Sequence, residues 1–231
     1  MKNIFITGAN RGIGLEFTKQ FLERGDRVFA GARNPAQAVS LHQLEDQYKD
    51  TLVIVKLEVN NQTEIDSAVS NITNLGHGID ILINNAAIKN EREGFGNLKM
   101  TSMLKVFEVN VLSPVLIIQQ FLPLLKKGNQ ARVINISSSL GSIGRNGSGI
   151  ATYSSSKTAL DMFTNRLANP LKLDGIIAIV MDPGWVKTDM GGSSAELTPT
   201  ESVSGMINVI DQLDLKDSGR YYRYNREELP W

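Results

Sequence analysis

A doubly wound α/β domain is the fold class that this sequence predicts: a seven-stranded, mostly parallel sheet with helices on both faces. Three observations predict it. Short apolar runs alternate with amphipathic segments along the whole chain. Most runs are continuous in Val, Ile and Leu, as strands covered on both faces require. A glycine-rich turn separates the first run from the first amphipathic segment. In order, the strands are expected at Asn3–Thr7 (Asn-Ile-Phe-Ile-Thr), Arg27–Ala32 (Arg-Val-Phe-Ala-Gly-Ala) and residues 52–58 (Leu-Val-Ile-Val-Lys-Leu-Glu). They continue at residues 79–83 (Ile-Asp-Ile-Leu-Ile), 131–137 (Ala-Arg-Val-Ile-Asn-Ile-Ser), 175–181 (Gly-Ile-Ile-Ala-Ile-Val-Met) and 220–224 (Arg-Tyr-Tyr-Arg-Tyr). Helical patterning lies between them at residues 12–24, 36–48, 62–75, 100–127, 151–171 and 200–213. Repeated β-α-β order implies right-handed crossovers and helices on both faces. The loosest stretches, residues 140–150 and 191–199, are rich in Gly and Ser and each follows a strand end. In an open α/β sheet that edge is where ligands bind.

The 231 residues fit one domain spanning 1–231, with no room for a separate substrate domain of ordinary size. Lys plus Arg and Asp plus Glu are each 24, so the formal net charge is zero and no chain-wide footprint for nucleic acid or an anionic membrane exists. Cysteine is absent, which excludes disulfides, thiolate metal sites and a cysteine nucleophile and suits a reducing cytoplasm. The opening run ends at Gly8, too short for a signal peptide. The longest apolar candidate, residues 109–125, is interrupted by Asn110, Ser113, Gln119 and Gln120, and no stretch is expected to cross a membrane. A soluble, cytoplasmic protein is expected, with neither nucleic acid nor membrane as partner. His42 and His77 match no metal spacing, so no metal site is expected.

Gly8, Gly12 and Gly14 stand between the first strand and the first helix. Glycine permits a tight turn and lets backbone N–H groups approach a pyrophosphate at a helix N-terminus. The spacing is G-x-x-x-G-x-G rather than G-x-G-x-x-G, and an ordinary glycine-rich connection has the same composition. An NAD site calls for an acidic residue about 20 positions on, for the ribose 2′-hydroxyl. Here Val28-Phe-Ala-Gly-Ala-Arg33-Asn34 has no carboxylate. Arg33 stands there instead, and Arg11 lies within the turn. Two guanidiniums suit a 2′-phosphate, so NADP(H) is expected as cofactor; each arginine taken singly is equally well a solvated side chain.

Tyr153 and Lys157 are four residues apart on a helical pattern and so share one face. A phenol of pKa near ~10 is a poor acid-base group at neutral pH unless a fixed positive charge favours its phenolate. Lys157 is placed to be that charge. Alone, Tyr153 reads as a half-buried aromatic and Lys157 as part of a solvated helix face.

Together, Thr7-Gly-x-x-x-Gly-Ile-Gly14, Asn84-Asn-Ala-Ala87, Asn110, Ser138, Tyr153-x-x-x-Lys157 and Pro183-Gly184 resemble the short-chain dehydrogenase/reductases, over nearly the whole chain and in the right order. The tail, Asp217-Ser-Gly-Arg-Tyr-Tyr-Arg-Tyr-Asn and Glu228-Leu-Pro-Trp231, is similar to the subgroup of C-factor and the sniffer-type carbonyl reductases. The resemblance implies a Rossmann-type sheet and four catalytic roles. Tyr153 is the acid in carbonyl reduction and the base in reverse. Lys157 lowers its pKa and binds the nicotinamide ribose. Ser138 hydrogen-bonds the substrate oxygen, chosen by its register at the strand end, with neighbouring Ser139 the substitute. Asn110 holds a water linking Lys157 to solvent, though a partner for backbone groups freed by Pro114 reads equally well from the residues. Implied for the cofactor are Gly8, Asn10, Arg11, Gly12, Ile13 and Gly14; Arg33; Glu58 and Val59; Asn85, Ala86 and Ala87; Ile136; Tyr153 and Lys157; and Pro183, Gly184, Val186, Thr188 and Met190.

Two positions depart from the family pattern: Ala87 replaces a usual glycine and Glu58 a usual aspartate. Asn84 and Asn85 read structurally as amides tying a loop to a strand end. Residues 189–200 are expected to cover the substrate, either as a lid or as a plain surface loop. Trp185, Met190 and Met206 either line an apolar pocket or belong to the core. The expected function is NADPH-dependent reduction of small ketones or aldehydes to alcohols. The alternative is an NADP-binding signalling or interaction module with little turnover. An epimerase or dehydratase on the same fold ranks lower, because the short C-terminal portion leaves little room for a nucleotide-sugar domain. A homodimer or homotetramer is expected through the helices at 100–127 and 151–171, faces that serve equally well to cover the chain's own sheet.

Overall fold

The computed structural model describes residues 1–90, 96–145 and 151–231. Among them, seven strands form one sheet: β1 (Asn3–Thr7), β2 (Arg27–Ala32), β3 (Leu52–Lys56), β4 (Ile81–Asn84), β5 (Arg132–Ile136), β6 (Ile177–Asp182) and β7 (Tyr221–Arg223). Their order is β3-β2-β1-β4-β5-β6-β7, and every pairing is parallel. The helices are α1 (Gly12–Glu23), α2 (Val39–Gln47), α3 (Gln62–Asn74), α4 (Met100–Phe107), α5 (Ser113–Leu125), α6 (Ala151–Leu173) and α7 (Pro199–Asp211).

The apolar runs explain the two layers. Successive strand residues point to opposite faces. Ile4, Ile6, Ile81, Ile83, Ile134, Ile179 and Met181 bury one face with Phe17 and Phe21 of α1 and Val203, Met206 and Ile210 of α7. Phe5, Leu82, Val133 and Ala178 bury the other with Ile65 and Ile72 of α3, Ile117 and Phe121 of α5 and Leu171 of α6. Met206 is fully buried among the first set, so of its two readings the core one holds.

Strand order reverses between β1 and β4, which opens a crevice at their carboxyl ends. Register lines those ends up. Thr7 pairs with Gly31, Ile6 with Ile83, Asn84 with Asn135, Ile136 with Met181 and Asp182 with Arg223.

Several expected boundaries are corrected. The helix expected at 100–127 is broken by a π turn, Glu108–Leu112. Pro114 has no N–H for the i→i+4 ladder, and the Ser113 hydroxyl donates to the Glu108 carbonyl at 2.8 Å instead. The helix expected from residue 36 starts at Val39, because Pro35–Gln37 forms a separate 3₁₀ turn and Ala38 leaves the helical region (φ −86°, ψ 59°). The fourth strand starts at Ile81 rather than 79: the Asp80 carboxylate accepts from the N–H groups of Asn3 and Asn129, both at 2.6 Å, and fastens the strand entrance. The run Met100–Leu125 is long and apolar enough, by length and composition, to cross a membrane, contrary to the sequence expectation. Its apolar character has a local cause here, since Ile117, Ile118, Phe121, Leu124 and Leu125 pack under the sheet.

Candidate active site

The crevice is built from three backbone segments in van der Waals contact. A Cβ on Gly8 would meet Ala86 Cα at 3.0 Å, and one on Gly12 would meet Thr188 Cγ2 at 3.4 Å. Gly8 and Gly12 take φ of 65° and 55°, the left-handed region open to glycine. Asn85 locks the turn. Its Nδ2 donates to the Thr7 and Gly8 carbonyls at 3.0 and 3.2 Å, while the Thr7 hydroxyl accepts from the N–H groups of Asn85 and Ala86. The structural reading of Asn85 therefore holds. Asn84 ties the sheet too, donating to Asn135 Oδ1 at 2.8 Å.

The N-terminus of α1 has no side-chain cap and no acidic residue in its first turn. Its leading N–H groups thus face the crevice as an anion site. This cradle of glycine backbone and uncapped helix fits a dinucleotide pyrophosphate. Arg33 is exposed at the end of β2. Arg11, also exposed, forms an ion pair with Asp189 at 3.0 Å. Pairs this exposed are weak, so Arg11 exchanges partner at little cost. Glu58 is half-buried and donates its N–H to Glu64 Oε2 at 2.6 Å. Val59 and Ile13 are partly core residues, packed against opposite layers.

At the carboxyl ends of β5 and β6, α6 brings Tyr153 and Lys157 against the sheet. Tyr153 is 9% exposed and Lys157 2%. Ser138, two residues past the end of β5, sets its hydroxyl beside the Tyr153 phenol, where it favours the phenol's charged form. The Tyr221 hydroxyl donates to the Ser138 carbonyl at 2.5 Å and steadies it. Lys157 Nζ donates to the Ile136 carbonyl at 2.8 Å and lies 5.7 Å from the centre of the Tyr153 ring. One expectation is corrected here. Burial, followed by the charge of Asp182, pushes the phenol up to about 12, and the Ser138 hydroxyl offsets only part of this. The ammonium gives one of its three hydrogen bonds to the Ile136 carbonyl. Burial also pulls Lys157 down to about 8.

Asn110 lies in the π turn and is completely buried. Its Oδ1 accepts from Ile88 N at 2.9 Å, and its Nδ2 donates to the Ile88 carbonyl at 2.8 Å and to Ser156 Oγ at 3.0 Å. The amide thus braces the turn, and its oxygen keeps a second lone pair. Asn110→Ala would strand the Ile88 N–H and C=O, and a loss of about 1–3 kcal/mol is expected in urea unfolding. An unchanged unfolding midpoint would show that Asn110 does not brace the turn.

Two buried carboxyls that sequence reasoning did not single out complete the site. Asp161 is 3% exposed and Asp182 1%. Asp182 accepts from Ser139 N at 3.0 Å, and Arg223 Nε stands 3.4 Å from its other oxygen. The signal for Asp161 was its i+4 spacing from Lys157, and for Asp182 its place directly before Pro183-Gly184.

The segment after β6 is held down. Val186 bridges to Leu197, Trp185 Nε1 donates to the Gly191 carbonyl at 2.8 Å, and Lys89 Nζ reaches the Met190 carbonyl across the crevice. Trp185 is half exposed rather than lining an enclosed pocket. Pro183 accepts from the Ser202 hydroxyl at 2.6 Å, and Gly184 (φ 75°) has no room for a Cβ, which would meet Leu197 Cδ1 at 2.7 Å. Asn10 is exposed beside Arg11, and Ala87 is half-buried beside Ala86. Residues 146–150, part of the loose stretch expected at 140–150, lie outside the described residues.

Residues 2–198 match the family described as short chain dehydrogenase. The C-signal protein of Myxococcus xanthus is 38% identical over 154 residues, which span 66% of this chain and 93% of that protein. The NADPH-bound carbonyl reductase from chicken fatty liver superposes with a TM-score of 0.94 at 36% identity, covering 100% of this chain and 99% of that one. The carbonyl reductase Sniffer of Drosophila melanogaster superposes with a TM-score of 0.96 at 33% identity, covering 100% of both chains.

Proposed function

The chain belongs to the short-chain dehydrogenase family of oxidoreductases, and on that premise we propose that it is an NADPH-dependent carbonyl reductase acting on small ketones or aldehydes. One observation carries the reading: Ser138 and Tyr153 bring neighbouring hydroxyls to the same edge of the sheet, with Lys157 one turn along α6. The structural likeness to an NADPH-bound carbonyl reductase supports the same cofactor and reaction.

When bound, NADPH supplies the hydride. The protein does the rest. Backbone N–H groups of the Gly8–Gly14 turn and the α1 terminus hold the pyrophosphate. Arg33, with Arg11 released from Asp189, takes the 2′-phosphate. Lys157 would hold the ribose hydroxyls. Ser138 and Tyr153 donate to the carbonyl oxygen as negative charge builds there, and Tyr153 delivers its proton. The raised phenol suits this direction. It is fully protonated at neutral pH, and an alkoxide, about as basic as hydroxide from water of pKa ~15.7, still takes its proton readily. Asn110, whose Oδ1 keeps one lone pair free of Ile88, would hold the water through which the phenolate is reprotonated.

Met100, Leu104, Leu112, Leu116, Met162 and Phe163 leave an exposed apolar face on α4, the π turn, α5 and α6. It supports self-association into a homodimer, in a cytoplasmic enzyme.

Loss of NADPH absorbance with a panel of aldehydes and ketones tests the reaction. Turnover is expected on apolar carbonyls; tight NADPH binding with no turnover on any of them would favour a binding module instead. Arg33→Ala is expected to weaken NADPH about tenfold or more while leaving NADH within a factor of about two, since a charged hydrogen bond contributes ~1.5–3 kcal/mol. Equal losses for both cofactors would remove Arg33 from 2′-phosphate recognition.

A further inference from the structure

We propose that Asp161 is a positioning residue for Lys157: a buried carboxylate one helical turn away that balances the ammonium and keeps it cationic beside Tyr153. The inference rests on the reading of Tyr153 and Lys157 as the acid-base pair.

The placement comes first. Positions 157 and 161 share one face of α6, and both side chains pack against Gly141, where a Cβ would meet Asp161 Oδ2 and Lys157 Cβ, each at 2.9 Å. Glycine at 141 therefore makes room for the pair. Asp161 Oδ1 is buried and has no hydrogen-bond partner among the described residues. The Ser137 hydroxyl beside it favours its charge, but Ser137 Oγ also completes no hydrogen bond of ordinary geometry, so that help is weak. A carboxyl in this position needs a cation or must hold a proton.

The neighbouring charges decide which cation serves which acid. Tyr153 faces the site from α6, Ser137 from β5, Asp182 from β6, Tyr221 and Arg223 from β7, and Arg145 from the turn Ile143–Arg145. Asp182 has its own partners: the N–H groups of Ser139 and Gly184, then Arg223 and Arg145. Asp161 has none of these. Its attraction is to Lys157, while Asp182 repels it. Conversely, the charge of Asp161 acts on Lys157 and opposes the burial that strips the ammonium of its proton. Two buried acids thus lie behind the phenol with separate charge balances, and the balance of Asp161 runs through Lys157.

The sign of the effect follows. Burial pushes Asp161 up to about 7 and pulls Lys157 down to about 8, with Asp161 holding it from falling further. Below pH 7 Asp161 holds a proton and Lys157 is cationic without help. Above it the ionised carboxylate is what retains the ammonium. Removing Asp161 therefore acts from the alkaline side.

The test is a carbon-13 titration of cofactor-free protein labelled at lysine Cε, with the Lys157 line assigned by its loss in Lys157→Gln. In Asp161→Asn the Lys157 midpoint is expected to fall by about one pH unit or more, the size of shift a nearby opposite charge produces. The deficit in kcat/KM for carbonyl reduction is expected to widen from pH 6 to pH 9. An unchanged Lys157 midpoint overturns the proposal, as does an Asp161→Asn enzyme that gains alkaline activity because its phenol titrates more easily. Should Asp161→Asn not fold, wild-type protein labelled also at aspartate Cγ decides: the Lys157 line is expected to respond at the Asp161 inflection near neutral pH, and no response overturns the proposal. Because the titration needs no turnover, a protein without reductase activity leaves it readable and tells against the proposed function alone.

Discussion

Replacing Tyr153 by Phe is expected to lower kcat for carbonyl reduction by roughly 10²–10⁴-fold, the range that one positioned acid contributes. NADPH affinity is expected to stay within about threefold, since the ring remains and only the oxygen leaves. The phenol is the proton donor that the crevice offers at the β5 edge: the Ser138 hydroxyl stands beside it, and Tyr221 anchors the Ser138 backbone. Ser138 in the variant still donates to the substrate oxygen, so a residual rate above background is expected. The packing change is small, because the substitution removes one oxygen and leaves the buried ring in place. Steady-state turnover together with a fluorescence titration of NADPH separates chemistry from binding. Wild-type turnover in the variant would strike Tyr153 from the mechanism, and a loss confined to NADPH affinity would move its role to the cofactor.

Gly14→Ala is the second large effect. Gly14 lies in the first turn of α1, where helix propensity alone predicts a gain of about 1 kcal/mol from alanine. Geometry predicts the reverse. An added Cβ would lie 2.3 Å from the Gly8 carbonyl oxygen and 2.6 Å from Asn85 Nδ2. The first is backbone and the second is the amide that locks Thr7 and Gly8, so neither yields without opening the turn. Gly14 does not need a left-handed φ, so the penalty is steric alone. Overpacking of this kind costs about 1–3 kcal/mol. For a chain of this size that lowers Tm by roughly 2–12 °C, and a displaced turn should also cost NADPH affinity. A Tm at or above wild type would show that propensity wins and that the close approach at Gly14 is relieved elsewhere.

The motifs that were legible are those whose residue types have few alternatives. Gly8 and Gly12 adopt left-handed backbone that other residues rarely take. Asn84 and Asn85 are amides at a strand end; Asn85 ties the glycine turn, as read, while Asn84 joins β4 to β5. The acid-base group was legible because Tyr153 and Lys157 share a helix, so one spacing rule brought them together. The boundaries were less so. The π turn needed Pro114 and the Ser113 hydroxyl to be weighed against 26 apolar-patterned residues, and the hydropathy signal outvoted them. The bracing by Asn110 was illegible for a related reason: nothing local to it states that its amide will bond to Ile88 and Ser156.

What the sequence by itself determined is the order of elements, the glycine turn, the helix carrying Tyr153 and Lys157, and the family. Each is a matter of local period or of residues adjacent along the chain, so composition and spacing carry the information. What only the tertiary structure decided is the electrostatics. Asp161, Asp182, Tyr221 and Arg223 come from α6, β6 and β7 and meet behind the phenol only when the sheet is assembled. Burial then raises Tyr153 and lowers Lys157, reversing the shift expected from their spacing alone. A charge's energy depends on how much water the whole fold removes around it and on which partners replace that water, and neither is written in any short stretch of chain.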